Sequence, residues 1–243
     1  MAEKLASYFV SHGGGPWAYM DGEFRQRHAQ LEASLASIPR ELGLSPKAVL
    51  MISGHWEERD FTVMANPNPP MVYDYSGFPE QTYRVKYAAP GSPDLARRVQ
   101  QLLQHKGIVA NLDYSRGFDH GAFVPLSVMY PAANIPVIQL SLTAGYNAEE
   151  HIDAGRALAE LREEGVLILG SGLSYHNLRR FSSDGQRASH EFDGWLNETL
   201  KEPNPDIRIH KLLNWTHAPS AREAHPRRSL NSAAGCRRRR RAR

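Results

Sequence analysis

Short apolar runs alternate with longer amphipathic stretches along this chain. The runs at 5–10, 48–52, 61–65, 108–111, 137–142 and 166–169 read as strands, and the stretches at 22–37, 93–105, 122–130, 148–163 and 189–200 read as helices. Leu95, Val99, Leu102 and Leu103 recur at the spacing of one helix face, and Ile152, Leu158 and Leu161 do so more loosely. Ser92-Pro93 is a helix start, with serine as the cap and proline in the first turn. Strands alternating with helices predict an α/β fold: a mainly parallel central sheet flanked by helices, in a single domain.

Two segments break the pattern. Residues 66–91 hold Pro67, Pro69, Pro70, Pro79 and Pro90, with Tyr73, Tyr75, Phe78, Tyr83 and Tyr87 between them. Proline stiffens the backbone and aromatic rings supply flat apolar walls. This stretch reads either as a shaped loop lining a pocket for a planar substrate or as a surface excursion pinned by its own rings. After Pro226 the chain is rich in Arg and Ala and has no period, which predicts a disordered tail. The domain boundaries are therefore 1–225 for the folded body and 226–243 for the tail.

Charge sharpens that division. The net charge is +3, but residues 226–243 hold eight arginines and no acid, leaving 21 Lys and Arg against 26 Asp and Glu in the body. A mildly acidic body argues against nucleic acid as the partner, despite the basic run. The single Cys236 excludes an intrachain disulfide. Together with the absence of a signal-like N-terminus or a membrane-length apolar run, this predicts a cytoplasmic protein with no membrane contact.

The candidate chemistry lies in histidines. His12, His55 and His176 each fall just past an apolar run. In open α/β sheets ligands bind outside the carboxyl ends of the strands, so three imidazoles delivered there can meet at one metal. Each has a plainer alternative. His12 sits in Ser11-His12-Gly13-Gly14-Gly15-Pro16, where it can bond to the backbone of a glycine turn. His55 can be a satisfied histidine at a strand end, with Glu57 and Glu58 either fixing its tautomer or forming an exposed acidic turn. His176 suits a ligand and a general base equally.

His120 precedes the helical stretch at 122–130, where the helix dipole disfavours a positive charge. It can hydrogen-bond an oxyanion or dioxygen as a neutral ring, or pack beside a capping Asp119. The histidines at 28, 105, 151, 190, 210 and 217 lie in helical or polar surroundings and read as structural. Phosphate-loop and Gly-x-Ser-x-Gly patterns are absent.

The ordered motifs resemble a known family. Ser11-His12-Gly13-Gly14-Gly15-Pro16, Ser53-Gly54-His55-Trp56 and Tyr73-Asp74-Tyr75-Ser76-Gly77-Phe78-Pro79 come first. Tyr87-Ala88-Ala89-Pro90-Gly91-Ser92-Pro93, Gly117-Phe118-Asp119-His120-Gly121 and Gly170-Ser171-Gly172-Leu173-Ser174-Tyr175-His176-Asn177-Leu178 follow. In this order they resemble the class III extradiol ring-cleavage dioxygenases, and among them the single-chain DOPA dioxygenase group.

The resemblance implies one divalent metal per chain, Fe(II) or Zn(II). It implies His12 and His55 as metal ligands, His176 as a ligand or acid–base group, and His120 as a catalytic pocket histidine. Substrates would be a catechol-type ring and dioxygen, and the product a semialdehyde.

The pattern departs near the end. A stretch resembling Glu-His-Leu-Leu-Pro-Leu is expected to carry a last ligand, but Arg228-Ser229-Leu230 stands there. This predicts that the reading frame departs after about Arg227, that the C-terminal segment of the fold is lost, and that metal affinity, solubility and activity are reduced. His225 is a candidate substitute ligand. The alternative to a catalyst is a non-catalytic metal- or ligand-binding protein on the same fold.

Overall fold

The computed structural model describes residues 4–226. The Arg-rich tail beyond Pro226, including Arg228-Ser229-Leu230, lies outside the described residues. The body forms one six-stranded sheet from β1 (Ser7–Ser11), β2 (Ala48–Glu58), β3 (Phe61–Met64), β4 (Ala110–Asp113), β5 (Val137–Thr143) and β6 (Val166–Gly172). Their order is β1-β6-β2-β5-β3-β4. Neighbours run parallel except β3 against β5, which meet antiparallel through Val63 and Leu140.

Both faces of the sheet are covered, so its central strands read as continuous apolar runs rather than alternating ones. Along β2, Val49 and Met51 enter one core while Leu50 enters the other. The first core is closed by α2 (Ala29–Leu42) and α4 (His120–Met129) through Leu35, Ile38, Phe123 and Leu126. The second is closed by α3 (Pro93–Gln104) and α5 (Ala148–Ala157) through Val99, Leu103, Ala154 and Ala157. A third, smaller core gathers Phe192, Trp215, Ala221 and Ala224 under α6 (Gln186–Lys201) and α8 (Ala221–Ala224).

All six expected strands form, and each expected helix has a counterpart. The helix expected at 22–37 is split into α1 (Gly22–Gln26) and α2, because the His28 side chain bonds the Phe24 carbonyl at 2.9 Å and the chain restarts from there. The stretch at 148–163 ends its α-helix at Ala157 and continues as a 3-10 turn at Ala159–Arg162. α7 (Pro205–Leu213) was not anticipated, although Asn204 caps it and Pro205 begins it.

β2 also runs further than its apolar core suggests. It continues to Glu58, with its register against β5 shifting between Ile52 and Glu57. Such irregularities re-aim side chains, and His55 lies inside this one.

Candidate metal centre

The carboxyl end of the sheet is anchored by buried polar groups. Ser53 on β2 and Ser171 on β6 are register neighbours, and both are buried. Ser53 Oγ donates to Asp119 Oδ1 at 2.6 Å. Asp119 is wholly buried and also accepts from Gln139 Nε2 at 2.8 Å, Arg116 Nη2 at 2.8 Å and the Ala122 backbone N–H at 3.2 Å. A buried carboxylate is tolerated when its lone pairs are met in this way. Asp119 therefore caps α4 and pins its first turn to the sheet.

The pinned turn presents His120 beside two histidines from the strands. His12 follows β1 directly and His55 projects from the irregular part of β2. One ligating atom from each of His12, His55 and His120 lies within 4.8 Å of the other two. The Nε2 atoms of His12 and His55 are 3.1 Å apart.

The opposite ring nitrogens are accounted for. Asp74 Oδ1 accepts from His120 Nδ1 at 2.8 Å, and Asp74 Oδ2 lies 3.0 Å from His55 Nδ1. Oδ1 also accepts the His120 backbone N–H at 3.0 Å. A carboxylate only accepts, so His120 carries its proton on Nδ1 and keeps a lone pair on Nε2, while His55 Nδ1 makes a close ion-pair approach to the same carboxylate. His12 Nδ1 lies 3.2 Å from Ser171 Oγ.

At 3.1 Å the two Nε2 atoms are close enough to share one proton or, when both are unprotonated, one cation. Nitrogens each about 2.0–2.1 Å from one ion adopt such a spacing. The donor set therefore fits a divalent metal, with further positions open to other ligands.

Electrostatics agree with the donor chemistry. Burial holds the His12 imidazole well below its ordinary value, reinforced by the neighbouring His55, His120 and His176 and opposed by Asp74. The ring is therefore neutral, as a ligand must be. Burial alone would raise the Asp74 carboxyl, but hydrogen bonds and charges from His120 and His55 hold it well below the usual carboxylate range.

The backbone around these residues leaves little freedom. Trp17 Nε1 donates to the His12 carbonyl at 2.7 Å, and its ring stacks on His28 with centroids 5.0 Å apart. His28 Nδ1 donates to the Phe24 carbonyl, so its Nε2 is free to accept the Gly14 N–H at 3.4 Å. Gly13 has φ of +72°, and a Cβ there would lie 2.4 Å from Trp17 Nε1, so glycine is required on both counts. The Asp74 loop is tied to α4 because Phe118 N donates to the Pro70 carbonyl at 2.8 Å and Val72 N to the Phe118 carbonyl at 2.7 Å.

The segment 66–91 is pinned by its own rings and also lies against the histidine group. Tyr73 and Tyr75 turn their hydroxyls onto the loop's own carbonyls, at Val85 (2.7 Å) and Thr82 (2.5 Å). The Tyr75 ring meets His120 edge-on at 5.7 Å and Phe78 at 5.5 Å, which puts an apolar wall beside the histidines. Burial raises the Tyr75 hydroxyl above its ordinary value, so it stays protonated.

The histidine group differs from the expected one in its third member. His176 lies beyond β6, half-buried, with its backbone N–H bonded to the Ala224 carbonyl at 3.0 Å. It is within electrostatic reach of His12 but outside the group of converging ligand atoms. His225 does not stand in as a ligand. Its Nε2 bonds the Ser174 carbonyl at 2.8 Å and its ring packs between Phe192 and Trp215.

The sequence alone does not single out Asp74 or Ser171, whereas His28 is structural as expected. Asp74 was visible inside the Tyr73–Pro79 motif, but only folding shows which histidines it faces. Glu58, considered as a partner for His55, instead accepts from Trp56 Nε1 at 3.0 Å.

Comparison with known proteins places this geometry. Residues 6–234 match the family described as the catalytic LigB subunit of aromatic ring-opening dioxygenase. The chain is 41% identical over 224 residues to a 4,5-DOPA dioxygenase extradiol of Beta vulgaris, covering 90% of this chain and 81% of that protein. It is 36% identical over 216 residues to a protein of the same name from Escherichia coli (strain K12), covering 87% and 76%. A crystal structure of an uncharacterized protein from Escherichia coli K12 superposes with a TM-score of 0.67 at 31% identity, covering 83% of this chain and 81% of that one. The chain belongs to the LigB family of aromatic ring-opening dioxygenases, the class III extradiol enzymes.

Proposed function

We propose that this chain opens a catechol-type ring with dioxygen, with one divalent ion held by His12 and His55. The observation that carries this reading is the convergence of ring nitrogens from three histidines, two of them 3.1 Å apart, at the carboxyl edge of the sheet. Ferrous iron suits dioxygen chemistry better than zinc, which has no redox chemistry of its own. The chemistry supplied by the bound ion is the acidification of the catechol hydroxyls and the placing of dioxygen beside the ring.

The protein's own residues do the rest. Tyr75 and Phe78 offer flat faces to a planar substrate. His120, with its proton fixed on Nδ1 by Asp74, presents Nε2 to accept a proton from a substrate hydroxyl or to serve as a further nitrogen donor. His176, outside the converging group, would serve in this reading as the acid–base residue that returns a proton as the ring opens to a semialdehyde. The relatives named as DOPA dioxygenases make a dihydroxyphenyl amino acid the first substrate to try. With Arg228-Ser229-Leu230 at the position where the resemblance expects a last ligand, this reading expects fewer protein donors to the ion and weak turnover.

Anaerobic loading with ferrous iron, followed by a catechol and air, tests the reading. A yellow ring-fission product that depends on iron and on His176 is expected. Metal uptake without product across several catechols would instead assign the chain a binding role.

A further inference from the structure

For His12 to act as a ligand through Nε2, its proton must be held on Nδ1. The atom facing Nδ1 is Ser171 Oγ, at 3.2 Å. A serine hydroxyl has one proton to give and lone pairs to receive, so what it offers His12 depends on where its proton goes. That proton goes to the carbonyl of Gly121, in the first turn of α4.

A regular helix would not leave that carbonyl open. The backbone N–H four residues later would take it. Four residues after Gly121 stands Pro125, inside α4, and proline has no N–H. Pro125, Gly121, Ser171 and His12 are all buried, so water does not compete for the bond.

We propose that Pro125 sets the tautomer of His12. By withholding a helix N–H from Gly121, it draws the Ser171 proton to that carbonyl and leaves the Ser171 lone pair to receive His12 Nδ1–H. Pro125 and Ser171 are thus positioning residues, acting on the metal through His12. The consequence for metal rests on the function proposed above; the tautomer itself does not.

The substitution Pro125→Ala separates this role from mere support. It gives Gly121 a backbone partner and releases the Ser171 hydroxyl to donate to His12, which moves the His12 proton toward Nε2. Ser171→Ala removes the relay, and Ser171→Thr keeps its hydroxyl. Leu35→Ala loosens the same core without touching it.

Nitrogen-15 shifts of the His12 ring in metal-free protein read the tautomer. Chelator competition with zinc, used as a redox-silent probe, reads affinity. The expected result is a Nδ1–H ring in the parent chain, lost in Pro125→Ala and Ser171→Ala. Zinc affinity should fall about tenfold in both, the lower range for outer-shell partners, and be restored in Ser171→Thr. Leu35→Ala should lower the melting temperature but not the affinity, whereas Pro125→Ala should lower affinity without a matching loss of melting temperature.

A His12 ring that stays Nδ1–H in both relay variants overturns the proposal, as does unchanged zinc affinity in both. A tautomer that moves as expected in a chain that binds no zinc supports the relay and removes the metal reading.

Discussion

Two buried sites in this molecule hold histidine, and they put it to opposite uses. At the sheet edge, His12, His55 and His120 have acceptors or a serine at Nδ1, and their other nitrogens converge. In the C-terminal core, His225 is wholly buried but bonds a carbonyl through Nε2, and its Nδ1 has no hydrogen-bond partner among the described residues. Burial lowers the pKa of both His12 and His225. Burial and a depressed pKa therefore do not mark a ligand. The partner on the far side of the ring does, because it decides which nitrogen keeps a lone pair and where that lone pair points.

The largest test of this contrast is His55→Ala. It should abolish stoichiometric metal binding, a loss beyond the 10–100-fold typical of an outer-shell change, when followed by chelator competition. His225→Ala should leave metal affinity unchanged.

Asp74→Asn is next. An amide can accept from one imidazole but must offer N–H to the other, so one of His55 and His120 loses its tautomer. Metal affinity should fall by about 10–100-fold, while circular dichroism shows a folded chain.

Trp17→Phe keeps the stack on His28 but loses the N–H to the His12 carbonyl. A weakening of metal binding smaller than that of Asp74→Asn is expected in the same titration.

On the other side of the comparison, His225→Leu strands the Ser174 carbonyl and should cost about 1–3 kcal/mol in a denaturant titration. His225→Gln can still donate to that carbonyl and should recover part of the loss.

The smallest effect concerns pH. His12 and His225 both have folded pKa values below the unfolded histidine value of about 6.5. The unfolded chain therefore takes up protons first as pH falls, and stability present above that pH is lost below it. The melting temperature of the metal-free protein should drop between about pH 7 and 5, and drop less in His225→Gln.

How much the sequence reveals follows the same division. The strands that carry His12 and His176 were legible because buried parallel strands are continuous apolar runs, and their ends mark where ligands gather. His55 was found for the same reason, but its place inside β2 was not, since a register shift leaves no local signature. α7 carried a readable start in Asn204-Pro205, yet its sparse apolar positions gave the helix period little to show.

Asp74 lies 46 residues from His120, and Ser171 lies 159 from His12. Pairings at that range are set by packing the Asp74 loop on α4 and β6 beside β1. Residue types alone could propose histidines as ligands, but not which proton each would keep. That is why His225 and His176 stand as possible ligands from sequence alone, while the converging group among the described residues holds neither.

In the proposed site His12 and His55 share one divalent ion through their Nε2 atoms. An anaerobic ferrous-iron titration of the parent chain and of His55→Ala tests it most directly. About one ion per chain is expected, the stoichiometry of a mononuclear site, with binding lost in the variant. Iron bound equally well by His55→Ala would contradict it.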